Sequence, residues 1–473
     1  MGSVNLSSGG GFHARRAYLR VCIILCLTVL VALVVCGPAM GYVSGKRVWL
    51  RASGTAAHER SFRAVAKGPN GVIYAAGYVH TSAARKGDIL VVKYDAAGVL
   101  KWTRTWAGVG AADDWALDAA VDAKGNLYVL GRSDTPTVRL VVLKYSATGV
   151  RKWAKTRVGG DVWGYALAVD RSGNALVCST TQVNATQQAI VVAKRRAADG
   201  ALKWETRFAP NPADPDAGGM YAADMALDAA GNAFVAGSST YLGVRQAAVY
   251  KFSGATGERL KGELDTPGWG SQATAVAVRG QTVVIAGWAA KAANEEGYLV
   301  VKYDLDLAEQ HRTEYHNTAD AGARDSANDV AIGARGGVYV TGTSNRPPAG
   351  GHGYYNGCQT VRFSSDLGTV VWYKIFQPGG GAVSGASGDH LVLDAAGNAY
   401  VAGYLETDAT WEDLLVVKYA ANGAFKWKQR WDGGDDDDGA NDLTLGGTTA
   451  VYVVGYGYAR GGFEKGVAMR INR

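Results

Sequence analysis

The amino-acid sequence predicts an all-β chain: an eight-bladed β-propeller of four-stranded antiparallel blades, closed by its own N-terminal strand. Three observations carry this expectation. A heptapeptide recurs along the chain, written GNLYVLG at 125–131, GNAFVAG at 231–237 and GNAYVAG at 397–403. A second motif, VVKYD at 91–95 and again at 300–304, follows each copy of the first. The period is about 54 residues, which suits a unit of four short strands.

The last Gly of the heptapeptide marks the units at Gly77, Gly131, Gly237, Gly287, Gly342, Gly403 and Gly455. A degenerate copy, NALVCST, puts Ser179 in that place and brings the count to eight. The second motif continues as VLKYS (142–146), VAKRR (192–196), VYKFS (249–253), TVRFS (360–364), VVKYA (416–420) and AMRIN (468–472). A Trp follows at Trp102, Trp153, Trp204, Trp372 and Trp427, whereas two units carry LKGEL (260–264) and QHRTE (310–314) instead.

Each unit reads as four strands. An Ala/Val-rich run such as ALDAAVD (116–122) enters a D-x-x-G-N turn, and the Tyr-Val-x-Gly, Val-Val-Lys-Tyr and Lys-Trp strands follow. Alternation and β-branched content argue for strands over helices. The turns Asp122–Asn126, Asp170–Asn174, Asp228–Asn232 and Asp394–Asn398 supply Gly and Asn, which tolerate positive φ.

A ring must hide its terminal edges. The last unit ends after its third strand, at Arg473, while VWLRASG (48–54) is a Lys-Trp-type strand ahead of any complete unit. That strand is expected to complete the last blade and remove an exposed edge. Seven blades is the alternative count and requires one unit to be an insertion.

The pattern A-x-x-x-G-N-x-Y-V-x-G followed by V-V-K-Y-D-x-x-G-x-x-x-W resembles the bacterial β-propeller repeat known as SBBP. The resemblance spans essentially all of 42–473 and implies a propeller in an exported protein. TGVRKW (148–153) is similar, more weakly, to the T-G-x-x-x-W docking motif of PQQ-like propellers, but Ala97 and Asp199 replace the Thr in two units. The adjacent cysteines of quinone enzymes are missing, so a quinone cofactor would lack a recognisable site.

Residues 1–41 stand apart as a signal peptide or membrane anchor. Arg15, Arg16 and Arg20 precede the apolar run VCIILCLTVLVALVVC (21–36), and Ala39-Met40-Gly41 offers a small-x-small cleavage site. Cleavage there makes the protein secreted. An uncleaved run tethers it to a membrane, although sixteen apolar residues are short of the roughly 20 that span one. Lipidation at Cys36 fits poorly because Val35 is large where a small residue is required. Beyond the leader only Cys178 and Cys358 remain, in different repeats, so no disulfide framework is expected. Without the three leader arginines the formal net charge falls from +7 to +4, too balanced to argue for nucleic acid.

Strand parity sorts the loops. Turns after first and third strands are short and uniform and share one face. Connections after second and fourth strands share the other and are long and irregular, as at 208–222, 343–357 and 432–441. Binding is placed on such loops. That face gathers Trp115, Trp163, Tyr165, Tyr221, Trp269, Tyr354, Tyr355 and Trp411. These rings either stack on a protein or glycan ligand or fill gaps between blades.

Two acidic groups are candidates for cations. Asp435–Asp438 could ligate Ca²⁺ through Asp435 and Asp437, or form a solvated loop. Asp118, Asp224, Asp329 and Asp442 open the first strands of alternate units, and would either ring the channel mouth and favour a cation or cap backbone N–H groups. Metal-protease, lipase and P-loop motifs are absent, and the repeated lysines 93, 144, 194, 251, 302 and 418 read as strand features. No cofactor is expected other than Ca²⁺. The function expected is a monomeric, non-enzymatic scaffold for a protein, glycan or cell-envelope component. The alternative is a quinone-dependent dehydrogenase or a polysaccharide lyase or hydrolase with its centre at the channel mouth.

Overall fold

Among the described residues, short apolar runs separated by Asp-Gly-Asn turns fold into thirty-two β-strands. The computed structural model describes residues 45–473 apart from 81–85, 111, 135–137, 159–161, 211–216, 266–268, 293–294, 317–323, 347–354, 378–384, 408–409, 435 and 460–461. The 1–41 segment, Tyr354 and Asp435 therefore lie outside the described residues, as do the side chains of Trp163 and Tyr355.

Successive groups of four antiparallel strands cover 60–106, 114–158, 162–208, 217–264, 271–315, 324–376 and 385–431, which are blades 1 to 7. Blade 8 takes Gly439–Gly446, Ala450–Ala459 and Phe463–Asn472 from the end of the chain. Its outermost strand is Arg47–Ser53, paired antiparallel with Phe463–Asn472. The protein is an eight-bladed β-propeller whose first strand closes the ring, and the count is eight rather than seven. Blades 5 and 6 also touch through one parallel bridge between Glu296 and Arg324, which joins them into a single eight-stranded sheet.

The turn motif does local work. The Asp122 carboxylate accepts the N–H groups of Lys124 and Asn126, each at 2.9 Å, and the Asn126 amide at 2.8 Å. Gly125 holds φ at 77°, a region that suits glycine. Asp170, Asp228 and Asp394 repeat the arrangement.

The recurring strand Gly has a different cause, a β-bulge. In every blade the first strand slips register opposite that position, as between Phe62 and Ala64 facing Gly77 and Ala76. A Cβ on Gly77 would lie 1.8 Å from the Ser61 carbonyl oxygen, and one on Gly455 would lie 1.9 Å from that of Gly439. Blade 3 keeps the clearance by moving the glycine across the ladder, where Gly164 pairs with Ser179. Each bulge bends its strand and re-aims the residues beside it.

The Lys and Trp of the other motifs join neighbouring blades. Lys93 Nζ donates to the Ala147 carbonyl at 2.7 Å, and Trp102 Nε1 reaches the same oxygen at 3.3 Å. Lys144 with Trp153 hold Ala197 in the same way, and Lys194 with Trp204 hold Gly254. The repeated lysines named here are structural. Trp49 carries the pattern across the seam, donating from blade 8 to the Ala96 carbonyl of blade 1 at 3.3 Å. Eight apolar clusters fill the eight blade-to-blade interfaces, so the core is a closed belt. Cys178 and Cys358 are buried in it as free thiols.

Candidate functional site

The eight bulges converge on the axis of the ring. Each places two consecutive residues on the wall of one central cavity of about 290 Å³. The pairs are Arg63-Ala64, Leu117-Asp118, Tyr165-Ala166, Ala223-Asp224, Thr274-Ala275, Asn328-Asp329, Asp389-His390 and Asn441-Asp442. All eight blades contribute, so the cavity exists only because the ring closes.

The structure brings Asp118, Asp224, Asp329 and Asp442 together here. They stand mid-strand, Asp118 within Asp114–Val121 and Asp442 within Gly439–Gly446, so they line the channel interior. This corrects the expectation that they open their strands at the mouth. Each carboxylate accepts two backbone N–H bonds and thereby ties two blades. Asp118 accepts from Ala119 of its own strand and from Leu167 of blade 3, both at 2.6 Å. Asp224 accepts from Met225 at 2.7 Å and Val276 of blade 5 at 2.9 Å. Asp329 accepts from Val330 and from Leu391 of blade 7, both at 2.7 Å. Asp442 does the same with Leu443 and with Val65 of blade 1, both at 2.7 Å.

These hydrogen bonds favour the ionised form, yet burial dominates. It pushes Asp118 and Asp329 up to about 7 and Asp442 up to about 8, and it raises Asp224 as well. Mutual repulsion adds to the shift: Asp224 raises both Asp118 and Asp329, while Asp118 and Asp329 raise Asp442. At the position that Asp holds in the even blades, the odd blades place Ala64, Ala166 and Ala275, then break the pattern with His390. Burial lowers the His390 pKa to about 4, which leaves the ring neutral near pH 7. Its neighbour Asp389 accepts from Ser387 at 2.5 Å and Asn328 at 3.0 Å through one oxygen, and burial raises its pKa.

The aromatic candidates divide. Trp411 and Trp269 are 65 % and 63 % exposed. Tyr165 is part of the channel wall rather than of the loop face. Tyr221 donates its hydroxyl to Gln188 of blade 3 at 2.7 Å and lies under Arg245, so it packs between blades. Trp115 is half-buried beneath Arg132.

A further acidic group takes only Asp438 from the Asp435–Asp438 run. Asp413, Asp432 and Asp438 bring ligand atoms within 4.8 Å of one another at the junction of blades 7 and 8. Arg430 already pairs with Asp413 at 2.7 Å, and Asp438 accepts the Tyr458 N–H at 2.8 Å. Asp437 lies apart from the trio and accepts the Glu412 N–H at 3.3 Å. Asp413 lies in VVKYA's own strand, twenty-five residues from Asp438 in the chain, and no spacing rule joins them. Asp389 and His390 could have been found by aligning all eight first strands at the bulge.

No protein-family profile and no curated protein matches the chain by sequence. Solved structures match by shape. The chain is similar to Sqt1 from Chaetomium thermophilum, with TM-score 0.51 and 10 % identity, covering 90 % of this chain and 98 % of that one. It is likewise similar to the quinohemoprotein alcohol dehydrogenase from Comamonas testosteroni, with TM-score 0.51 and 12 % identity, covering 90 % of this chain and 76 % of that one. At such identities the likeness is one of fold, and the class it defines is the β-propeller. The strand order makes this member eight-bladed. Among the described residues no helix is long and apolar enough to cross a membrane.

Proposed function

We propose that the protein is a binding scaffold, exported through its N-terminal leader, which presents a glycan of the cell envelope with a rigid platform on its irregular face. One observation carries the reading. Trp269, in the connection between blades 4 and 5, and Trp411, at the start of a third strand of blade 7, expose most of their rings on that face. The repeat aromatics Trp49, Trp153 and Trp204 are by contrast buried in blade contacts. Exposed flat rings on a stiff support lose little entropy when a sugar stacks on them. The repeat motifs take no part, because their Lys, Trp, Asp and Gly residues are engaged in blade contacts and turns.

A glycan array probed with the protein and with Trp269→Ala and Trp411→Ala tests the reading. Binding that falls in both variants while the melting temperature holds supports it. Binding indifferent to both removes the face from consideration. Sequencing the N-terminus of exported protein tests the leader, since a start at Tyr42 demonstrates cleavage. The channel favours a second reading as an enzyme, because carboxyl groups held near neutrality suit proton transfer. Loss of a detected lyase or hydrolase activity in Asp118→Asn would favour it.

A further inference from the structure

Each fourth strand starts on the short-turn face, opposite the irregular loops. There six consecutive blades set an exposed basic residue beside an exposed apolar one. The pairs are Phe425-Lys426 in blade 7, Arg47-Val48 in blade 8, Leu100-Lys101 in blade 1, Val150-Arg151 in blade 2, Leu202-Lys203 in blade 3 and Arg259-Leu260 in blade 4. Their apolar members are 43 % (Val48) to 55 % (Val150) exposed, far more than core packing would leave them. Blades 5 and 6 depart from the pattern with Glu309-Gln310 and Val370-Val371. A single exposed leucine or lysine needs no explanation, but six adjoining pairs on one rim form an amphipathic arc.

The cations of this arc are largely uncommitted. Lys101 pairs with Asp95 at 3.0 Å and Arg259 lies over the Phe208 ring, 4.3 Å from its centre. For Arg47, Arg151, Lys203 and Lys426 the described residues supply no carboxylate partner. The irregular face has the opposite sign, with Glu412, Asp432, Asp436 and Asp437 at the loops of blades 7 and 8. The chain also enters the ring on the basic side. Gly45 donates to the Asn472 carbonyl at 2.9 Å, as Gly423 does to Ala420 at 2.8 Å, so Gly45 holds a turn position two residues before Arg47. The apolar run 21–36 is joined to that point through 37–44, a reach of about 30 Å at full extension.

We propose that the short-turn face docks on an anionic phospholipid bilayer. Its lysines and arginines meet the headgroup phosphates, and Phe425 and the aliphatic members of the pairs enter the headgroup boundary. A flat bilayer can reach the rim of several blades at once. An acidic polysaccharide would answer the cations but would leave the paired apolar side chains in water. Charge also sets the orientation, because the same surface repels the acidic loops and holds the irregular face outward. This inference is independent of the glycan reading of that face and can fail without it.

The test is flotation of the full chain with vesicles of phosphatidylcholine alone and of equal parts phosphatidylcholine and phosphatidylglycerol. The run 21–36 and its arginines are the same in every variant, so differences between variants report on the ring. Binding should favour the anionic vesicles at about 0.1 M salt and lose that preference at about 1 M. Arg151→Glu and Lys203→Glu are each expected to weaken anionic binding about fivefold or more. Phe425→Ser is expected to weaken it severalfold while the salt dependence stays. Lys291→Glu changes the net charge equally on the opposite face, at the end of Thr282–Ala292, and is expected to leave binding unchanged. All four side chains are exposed, so an unaltered melting temperature verifies the fold. Equal binding to both vesicles overturns the proposal, as does Lys291→Glu acting as strongly as Arg151→Glu. Capture by polygalacturonate without binding to vesicles also overturns it and makes the arc a polysaccharide site.

Discussion

Asp442 and Val65 are 377 positions apart in sequence, yet the Asp442 carboxylate accepts the Val65 N–H at 2.7 Å where blade 8 meets blade 1. The same bond joins blades 2 and 3, 4 and 5, and 6 and 7. Within-chain neighbours and the two ends of the chain are thus fastened by one device. Asp442→Ala should unpair the Val65 and Leu443 N–H groups inside the channel and cost about 1–3 kcal/mol, read as a lowered denaturant midpoint. Asp118→Ala should cost a similar amount, since its partners are equivalent.

The carboxyl ring also sets the sign of the pH response. Folded pKa values near 7–8 lie above the unfolded value of 3.8, so the folded state binds protons between those limits that the unfolded state does not. Stability from these groups is therefore full at low pH and is lost as pH rises through 7–8. Asp394 opposes this at the acid end. Burial is outweighed there by hydrogen bonds from Asn398 and Arg473, which hold it at about 2, so its contribution fades as pH falls from about 4 to 2. Melting temperature should rise from pH 9 to pH 5 and fall again below pH 4. Combining Asp118→Ala with Asp442→Ala should flatten the alkaline limb.

Closure depends on Trp49. It is 7 % exposed, packs against Tyr94 and Tyr452, and covers Gly98, where a Cβ would stand 2.6 Å from its ring. Trp49→Ala should cost about 3–5 kcal/mol, as large-to-small core changes do. Deleting 45–55 should in addition free the edge of Phe463–Asn472 for pairing between chains, visible as oligomers in light scattering.

The bulge glycines should be intolerant of any side chain. Gly77→Ala forces a carbon onto the Ser61 carbonyl and should cost about 3 kcal/mol or more, in the class of backbone-strain changes. Ser179→Gly should change stability by about 0.5 kcal/mol or less, because Gly164 already clears that site. Chemical unfolding of the two variants decides the point.

Lys93→Met removes the donor to Ala147 and should cost about 1 kcal/mol. Lys302, on the far side of the ring, donates to Ser365 at 2.8 Å, and the double variant should show the sum of the two effects. Simple additivity is the mark of separate structural ties rather than a shared site.

Repetition along the chain is enough to predict the propeller, the eight units and the closing strand. A repeat writes the same local chemistry eight times, and turn glycines, strand alternation and Trp spacing are each readable within one unit. It also exposed Asp118, Asp224, Asp329 and Asp442, because they hold the equivalent position in alternate units. Packing, by contrast, set their depth in the channel, the place of Tyr165 on the channel wall, and the company of Asp389 and His390. A one-residue bulge reverses which side chains face inward, and nothing in a single strand announces it except the glycine across the ladder. The Asp413–Asp432–Asp438 group was equally hidden, since its members meet through the packing of two blades and share no motif.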